Sequence, residues 1–116
     1  MDVSFLFSND ELFTVISLLS GRTEAGQRFF ESALGGAEMC DLSGLVDKKL
    51  ARFVGNEIAL EPAVRMVADA IARADSAEYN ENVWVIHSPW VSLQCENYTY
   101  REGCWKVTPF EEATQL

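Results

Sequence analysis

The sequence predicts an α+β domain: a helical N-terminal two-thirds carrying a winged-helix-like hairpin, followed by a three-stranded antiparallel meander. Three observations carry that expectation. Apolar residues recur at helical spacing, in capped segments, between Leu12 and Ile71. Residues 52–60 form two short stretches around Gly55-Asn56, the pattern of a tight hairpin. After Asp75 the period changes, and the chain becomes rich in β-branched and aromatic residues.

Phe5 and Phe7 alternate with smaller neighbours, as in a short strand or an extended lead-in. Ser8-Asn9-Asp10-Glu11 reads as a capping box, with Phe7 and Leu12 placed for a hydrophobic staple. Leu12, Val15, Ile16 and Leu19 follow at helical spacing, and Gly21 supplies a stop, so a first helix is expected over 9–20. Thr23 caps a second helix carrying Phe29, Phe30, Ala33 and Leu34, which Gly35-Gly36 ends. Asp41 or Ser43 caps a third, with Leu42, Leu45, Val46 and Leu50 on one face. After the hairpin, Pro62 suits the first turn of a fourth helix, whose buried stripe is Val64, Val67, Ala68 and Ile71. Residues 76–82 are polar and read as a loop. Strands are expected at 83–87, 90–96 and 104–108, with a turn over 97–103 and a tail opening at Pro109.

The chain has 116 residues, 48% apolar and 23% charged, a size and composition suited to one packed domain over 1–116. Nine basic residues against eighteen acidic ones give a net charge of -9. That field repels phosphate backbones and anionic lipids, so nucleic acid and membranes are disfavoured partners and another protein is the expected one. The short N-terminal apolar run lacks a basic region, and no apolar stretch approaches the ~20 residues that span a bilayer; a cytoplasmic protein is expected. A strand edge such as the one at 83–87 would also allow a homodimer.

Candidate chemistry is sparse, and neither a catalytic residue nor a cofactor is expected. His87 is the only histidine, at a predicted strand end beside Ser88 and Pro89, where a backbone carbonyl commonly satisfies it. Cys40, Cys95 and Cys104 form no CxxC or Cys/His cluster, so no metal site is expected. Strand phase sets Cys95 with Val91 and Leu93 and Cys104 against Trp105 and Val107, which argues for free thiols. The acidic pairs Asp10-Glu11, Glu78 with Glu81, and Glu111-Glu112 lie at helix starts or in polar segments, where acids complement the helix dipole or stay hydrated. No phosphate-cradling glycine loop is present.

Two surfaces remain. Lys48, Lys49 and Arg52 cluster between the third helix and the hairpin, where a winged-helix DNA-binding regulator would place nucleic-acid contacts. Trp84, Trp90, Tyr98, Tyr100 and Trp105 concentrate in the last third. Alternation sets Trp90, Gln94, Tyr98 and Tyr100 on the strand face opposite Val91, Leu93 and Cys95. A polar face flanked by Trp and Tyr suits a protein partner.

The order 8–12 opening an apolar helix, Gly44-Leu45-Val46-Asp47-Lys48-Lys49-Leu50, Ile58-Ala59-Leu60-Glu61-Pro62 and a closing Gly103-Cys104-Trp105-Lys106-Val107-Thr108-Pro109-Phe110 spans most of the chain. It resembles one half of the chaperone-like accessory proteins of type VII (ESX) secretion systems and related uncharacterised proteins of Gram-positive bacteria. Those chaperones carry two such halves. The resemblance implies a non-enzymatic protein-interaction module, an adaptor or chaperone for a secreted partner, and transfers no functional residue. The acidic charge fits a further reading, a small inhibitor or immunity protein that meets a basic enzyme surface.

Overall fold

A strand ahead of the first helix decides the architecture. The computed structural model describes residues 4–19, 21–98 and 104–110, with Tyr98 through its backbone only. In chain order the elements are β1 (Phe5–Ser8), α1 (Asn9–Ser17), α2 (Glu24–Leu34), α3 (Leu42–Asp47), β2 (Ala51–Val54), β3 (Glu57–Leu60), α4 (Pro62–Ala72), β4 (Ser76–Asn80), β5 (Val83–His87), β6 (Ser92–Tyr98) and β7 (Cys104–Phe110). The expected three-stranded meander is instead a five-stranded antiparallel sheet in the order β1-β7-β6-β5-β4, and the hairpin β2-β3 is a separate two-stranded sheet. Helices α1, α2 and α4 pack against the large sheet, so the domain is a helical layer on a sheet rather than a helical body followed by one.

Both additional strands have a physical cause. In β1, Phe7 pairs with Trp105 and Phe5 with Val107, which sends Phe7 into the core at 1% exposure. β4 looks polar because it is an edge strand with few buried positions; its only fully buried side chain is Ala77. It joins β5 through Glu81-Asn82, both at positive φ (50° and 70°), as a two-residue type I′ turn requires. The strand at 83–87 is therefore interior, and the exposed edges are β1 and β4. At β4, Arg28 of α2 donates to the Ala77 carbonyl at 2.8 Å, occupying an acceptor that another strand would need.

Holding Glu81 in the left-handed region costs about 1 kcal/mol, a cost asparagine largely avoids. Glu81→Asn should raise stability by roughly 0.5–1 kcal/mol, read as a higher urea midpoint at unchanged slope. Asn82 is better kept, because its Oδ1 accepts from the Tyr79 hydroxyl at 2.9 Å.

The winged-helix order does not survive. α3 is only six residues long, under two turns, and cannot lay a reading face along a groove. It ends in a Schellman arrangement, with the Leu50 amide donating to the Leu45 carbonyl and the Lys49 amide to that of Val46. Lys49 takes the left-handed position (φ 62°) where glycine is usual. In the hairpin, Gly55 alone has positive φ, as at the first central position of a type II′ turn.

Local capping follows the sequence closely. Ser8 and Glu11 form the reciprocal capping box, and Phe7 and Leu12 are both buried beside it. Asp41 caps α3 through the Ser43 amide, and hydrogen bonds from Ser43 hold its carboxyl below the usual range. α1 ends at Ser17 rather than at residue 20, with Leu18 as a right-handed cap. Thr23 caps α2 through the Gly26 amide and also donates its hydroxyl to the Ala74 carbonyl, while its own amide donates to that of Ala72. The start of α2 is thereby docked onto the end of α4. Pro109 and Phe110, expected in a tail, belong to β7.

The core lies between the helices and one face of the sheet. Strand alternation puts Trp84, Ile86, Leu93, Cys95, Trp105 and Val107 on that face, all buried. Phe29 of α2 sits among them with no exposure, its ring edge-on to Trp84 (5.2 Å between centroids) and to Trp105 (5.8 Å).

Candidate interaction surface

The opposite face of the large sheet carries the alternate positions: Leu6, Val83, Val85, Gln94, Glu96 and Lys106 are half-buried or exposed. Packing of the helices on the core face leaves this one polar and apolar by turns. Gln94 donates to Glu96 at 2.9 Å, which fixes both side chains along β6. Ser92 lies opposite His87 in the ladder, and His87 Nδ1 and Ser92 Oγ are 2.8 Å apart. The distance would suit a nucleophile and its base. The setting, however, is a flat cross-strand pair with Ser92 buried, an ordinary way to satisfy two polar groups in a sheet. The His87 ring also meets Phe110 edge-on at 6.4 Å.

Trp90 stands at the end of this face. Ser88-Pro89-Trp90-Val91 is a closed turn, with the Ser88 amide donating to the Val91 carbonyl and the Val91 amide donating back to Ser88 Oγ. Proline at the second position stiffens it. The turn lifts the indole into solvent, where it is 53% exposed, while Val91 beside it packs against the core. Of the residues expected to bind a partner, the structure therefore places Trp90 on a hydrogen-bonded loop and Gln94 on the adjoining strand face. Tyr98 ends β6, its side chain lying outside the described residues, as does Tyr100. Trp84 and Trp105 are core residues.

The basic cluster is differently employed. Lys48 Nζ lies 2.6 Å from Glu11 Oε2, and that carboxylate is also half of the capping box of α1. Lys49 forms the turn that ends α3 through its backbone, and its side chain, like that of Arg52 on β2, belongs to an exposed residue. Beyond it the hairpin exposes Phe53 and Val54.

The three cysteines are free. Cys95 is buried opposite Val107, and burial pushes its thiol well above the ordinary range, leaving it unreactive at neutral pH. Among the described residues, no three His, Cys, Asp or Glu side chains converge for a metal ion, and no helix is long and apolar enough to cross a membrane.

Sequence reasoning missed a cleft of about 340 Å³ at the other end of the core, lined by Ser32, Tyr79, Asn82, Trp84, Asn97 and Trp105. It gathers residues from α2, β4, β5, β6 and β7, and only the unforeseen strand β4 brings Tyr79 to it. Comparison of the chain with known protein families, curated proteins and solved structures finds no match.

Proposed function

We propose that this chain is a non-enzymatic protein-interaction module, an adaptor or chaperone for a secreted partner, which it engages through Trp90 and the neighbouring sheet face. The presentation of Trp90 carries the reading. A large aromatic ring half in solvent offers apolar area to a partner, and the hydrogen-bonded proline turn beneath it reduces the backbone freedom to be lost on binding. Gln94 and Glu96 supply fixed polar contacts beside it. The net charge of -9 favours a partner with a basic complement and speeds its approach.

A photo-crosslinking residue at position 90, expressed in the source cells, should trap one protein partner, whereas the same residue at exposed Ala63 on α4 should not. Trp90→Ala should then weaken that purified complex by about tenfold or more, with the melting temperature nearly unchanged. Unaltered affinity would move the interface elsewhere on the domain. A secreted protein in the adduct supports the chaperone reading; a basic toxin or nuclease would make the chain its inhibitor.

A further inference from the structure

Among the described residues, the cleft between α2 and the β4-β5 end of the sheet is lined by neutral groups. Tyr79 forms one wall, 57% exposed, its ring tilted 50° from that of Trp84 with centroids 5.2 Å apart. The Tyr79 hydroxyl is tied to Asn82, which holds this wall in place. Trp105 is sealed at the back, its indole N–H donating to Asn9 at 2.6 Å. Trp84 differs. Its ring lines the cleft and is 8% exposed, no described residue accepts from its indole N–H, and no buried polar atom of the described side chains lacks a partner, so this N–H reaches solvent. The Asn97 amide and the Ser32 hydroxyl add donors and acceptors at the rim, both residues being exposed and without hydrogen-bond partners among the described side chains.

We infer that this cleft binds a neutral saccharide of one or two rings, an activity independent of the Trp90 surface. A phosphate or carboxylate ligand would find no cation among the described lining residues and would have to enter against the acidic field of the whole chain. An aromatic side chain of a peptide could stack on Tyr79, but its apolar ring would leave the nearly buried Trp84 N–H without an acceptor, at about 1–3 kcal/mol. A sugar ring satisfies both demands. Its axial C–H bonds carry partial positive charge and lie against the negative face of the Tyr79 ring. Its hydroxyls each donate and accept, matching an indole donor, an amide and a hydroxyl. The volume lies at the lower end of the range for small-molecule sites, which limits the ligand to one or two rings.

The test follows the indole N–H signals of uniformly ¹⁵N-labelled full-length protein, which number three, one for each tryptophan. The probes are glucose, N-acetylglucosamine, cellobiose and di-N-acetylchitobiose, with glucose 6-phosphate and N-acetyltryptophanamide as contrasts. At least one neutral saccharide should move the Trp84 signal saturably, with a dissociation constant on the order of 1 mM, and leave that of Trp90 in place. Asn97→Ala and Tyr79→Ala should each weaken the effect about tenfold while the melting temperature, a reporter of the intact core, stays nearly unchanged. Absence of a saturable Trp84 shift with every neutral saccharide overturns the inference. So does tighter binding of N-acetyltryptophanamide, which would make the cleft a peptide site, or a saccharide response indifferent to both substitutions.

Discussion

Gly26→Ala should destabilise the domain by about 3 kcal/mol, although alanine is the better helix former by about 1 kcal/mol. A Cβ at position 26 would lie 2.5 Å from the Ile71 carbonyl oxygen and 2.6 Å from that of Ala72. These are backbone atoms of α4, so no side-chain rotation relieves the overlap. α2 must lift away from α4, which stretches the Thr23 amide bond to Ala72 (2.8 Å) and the Thr23 hydroxyl bond to Ala74 (2.6 Å). Those bonds satisfy carbonyls at the C-terminal end of α4, and breaking them leaves acceptors unpaired in a partly buried seam. The control is the same substitution in α3. Around Gly44 a Cβ meets nothing within 4 Å, so Gly44→Ala should stabilise by up to about 1 kcal/mol. Thermal melts should therefore move in opposite directions, by roughly 10–15 °C downward for Gly26→Ala and a few degrees upward for Gly44→Ala. A neutral Gly26→Ala would mean that the two helices do not cross this closely.

Local chemistry was legible where neighbouring residues satisfy one another. The Ser8–Glu11 box, the Thr23 cap, the Gly55-Asn56 turn and, of the two candidates at α3, the Asp41 cap each find their partners within three residues. The strand phase around Leu93 and Cys95 was equally readable, because burial on one face enforces period two. What failed was pairing across the chain. Nothing near Phe5 announces that its partner is Val107, about a hundred residues away. β4 hid because an edge strand with one deeply buried side chain lacks an apolar pattern, and because its turn uses Glu81-Asn82 instead of glycine. The alternation of Ala77 and Tyr79 with Glu78 was the one available signal. Leaving the short strand at Phe5–Phe7 unpaired and reading β4 as a loop turned a five-stranded sheet into three strands, made β5 look like an edge, and concealed the Tyr79 wall of the cleft. The winged-helix reading failed for a related reason. The helix ahead of the hairpin, α3, stops after six residues at a left-handed lysine, a position whose sequence signal would ordinarily be glycine.

Phe29→Ala should cost about 4 kcal/mol, a large part of the ~5–15 kcal/mol that stabilises a domain of this kind. Phe29 has no exposure, and its ring is the one group that meets both Trp84 on β5 and Trp105 on β7 edge-on. Each such contact is worth roughly 0.5–1.5 kcal/mol beyond the area it buries. The surrounding residues cannot collapse to fill the void, because Trp105 is anchored through its N–H to Asn9 and Trp84 is held in the interior of the sheet. The loss should thus approach the full transfer-plus-cavity cost rather than its lower bound. Phe29→Leu keeps most of the volume and should cost nearer 1.5 kcal/mol. Near-ultraviolet circular dichroism distinguishes this from simple weakening of α2. The signal of the two buried indoles should fall in Phe29→Ala at temperatures where the far-ultraviolet spectrum is still native, since the aromatic geometry is lost before the strands separate. If that signal were retained at a reduced midpoint, the two tryptophans would be positioned by the sheet alone, and Phe29 would contribute only its buried area.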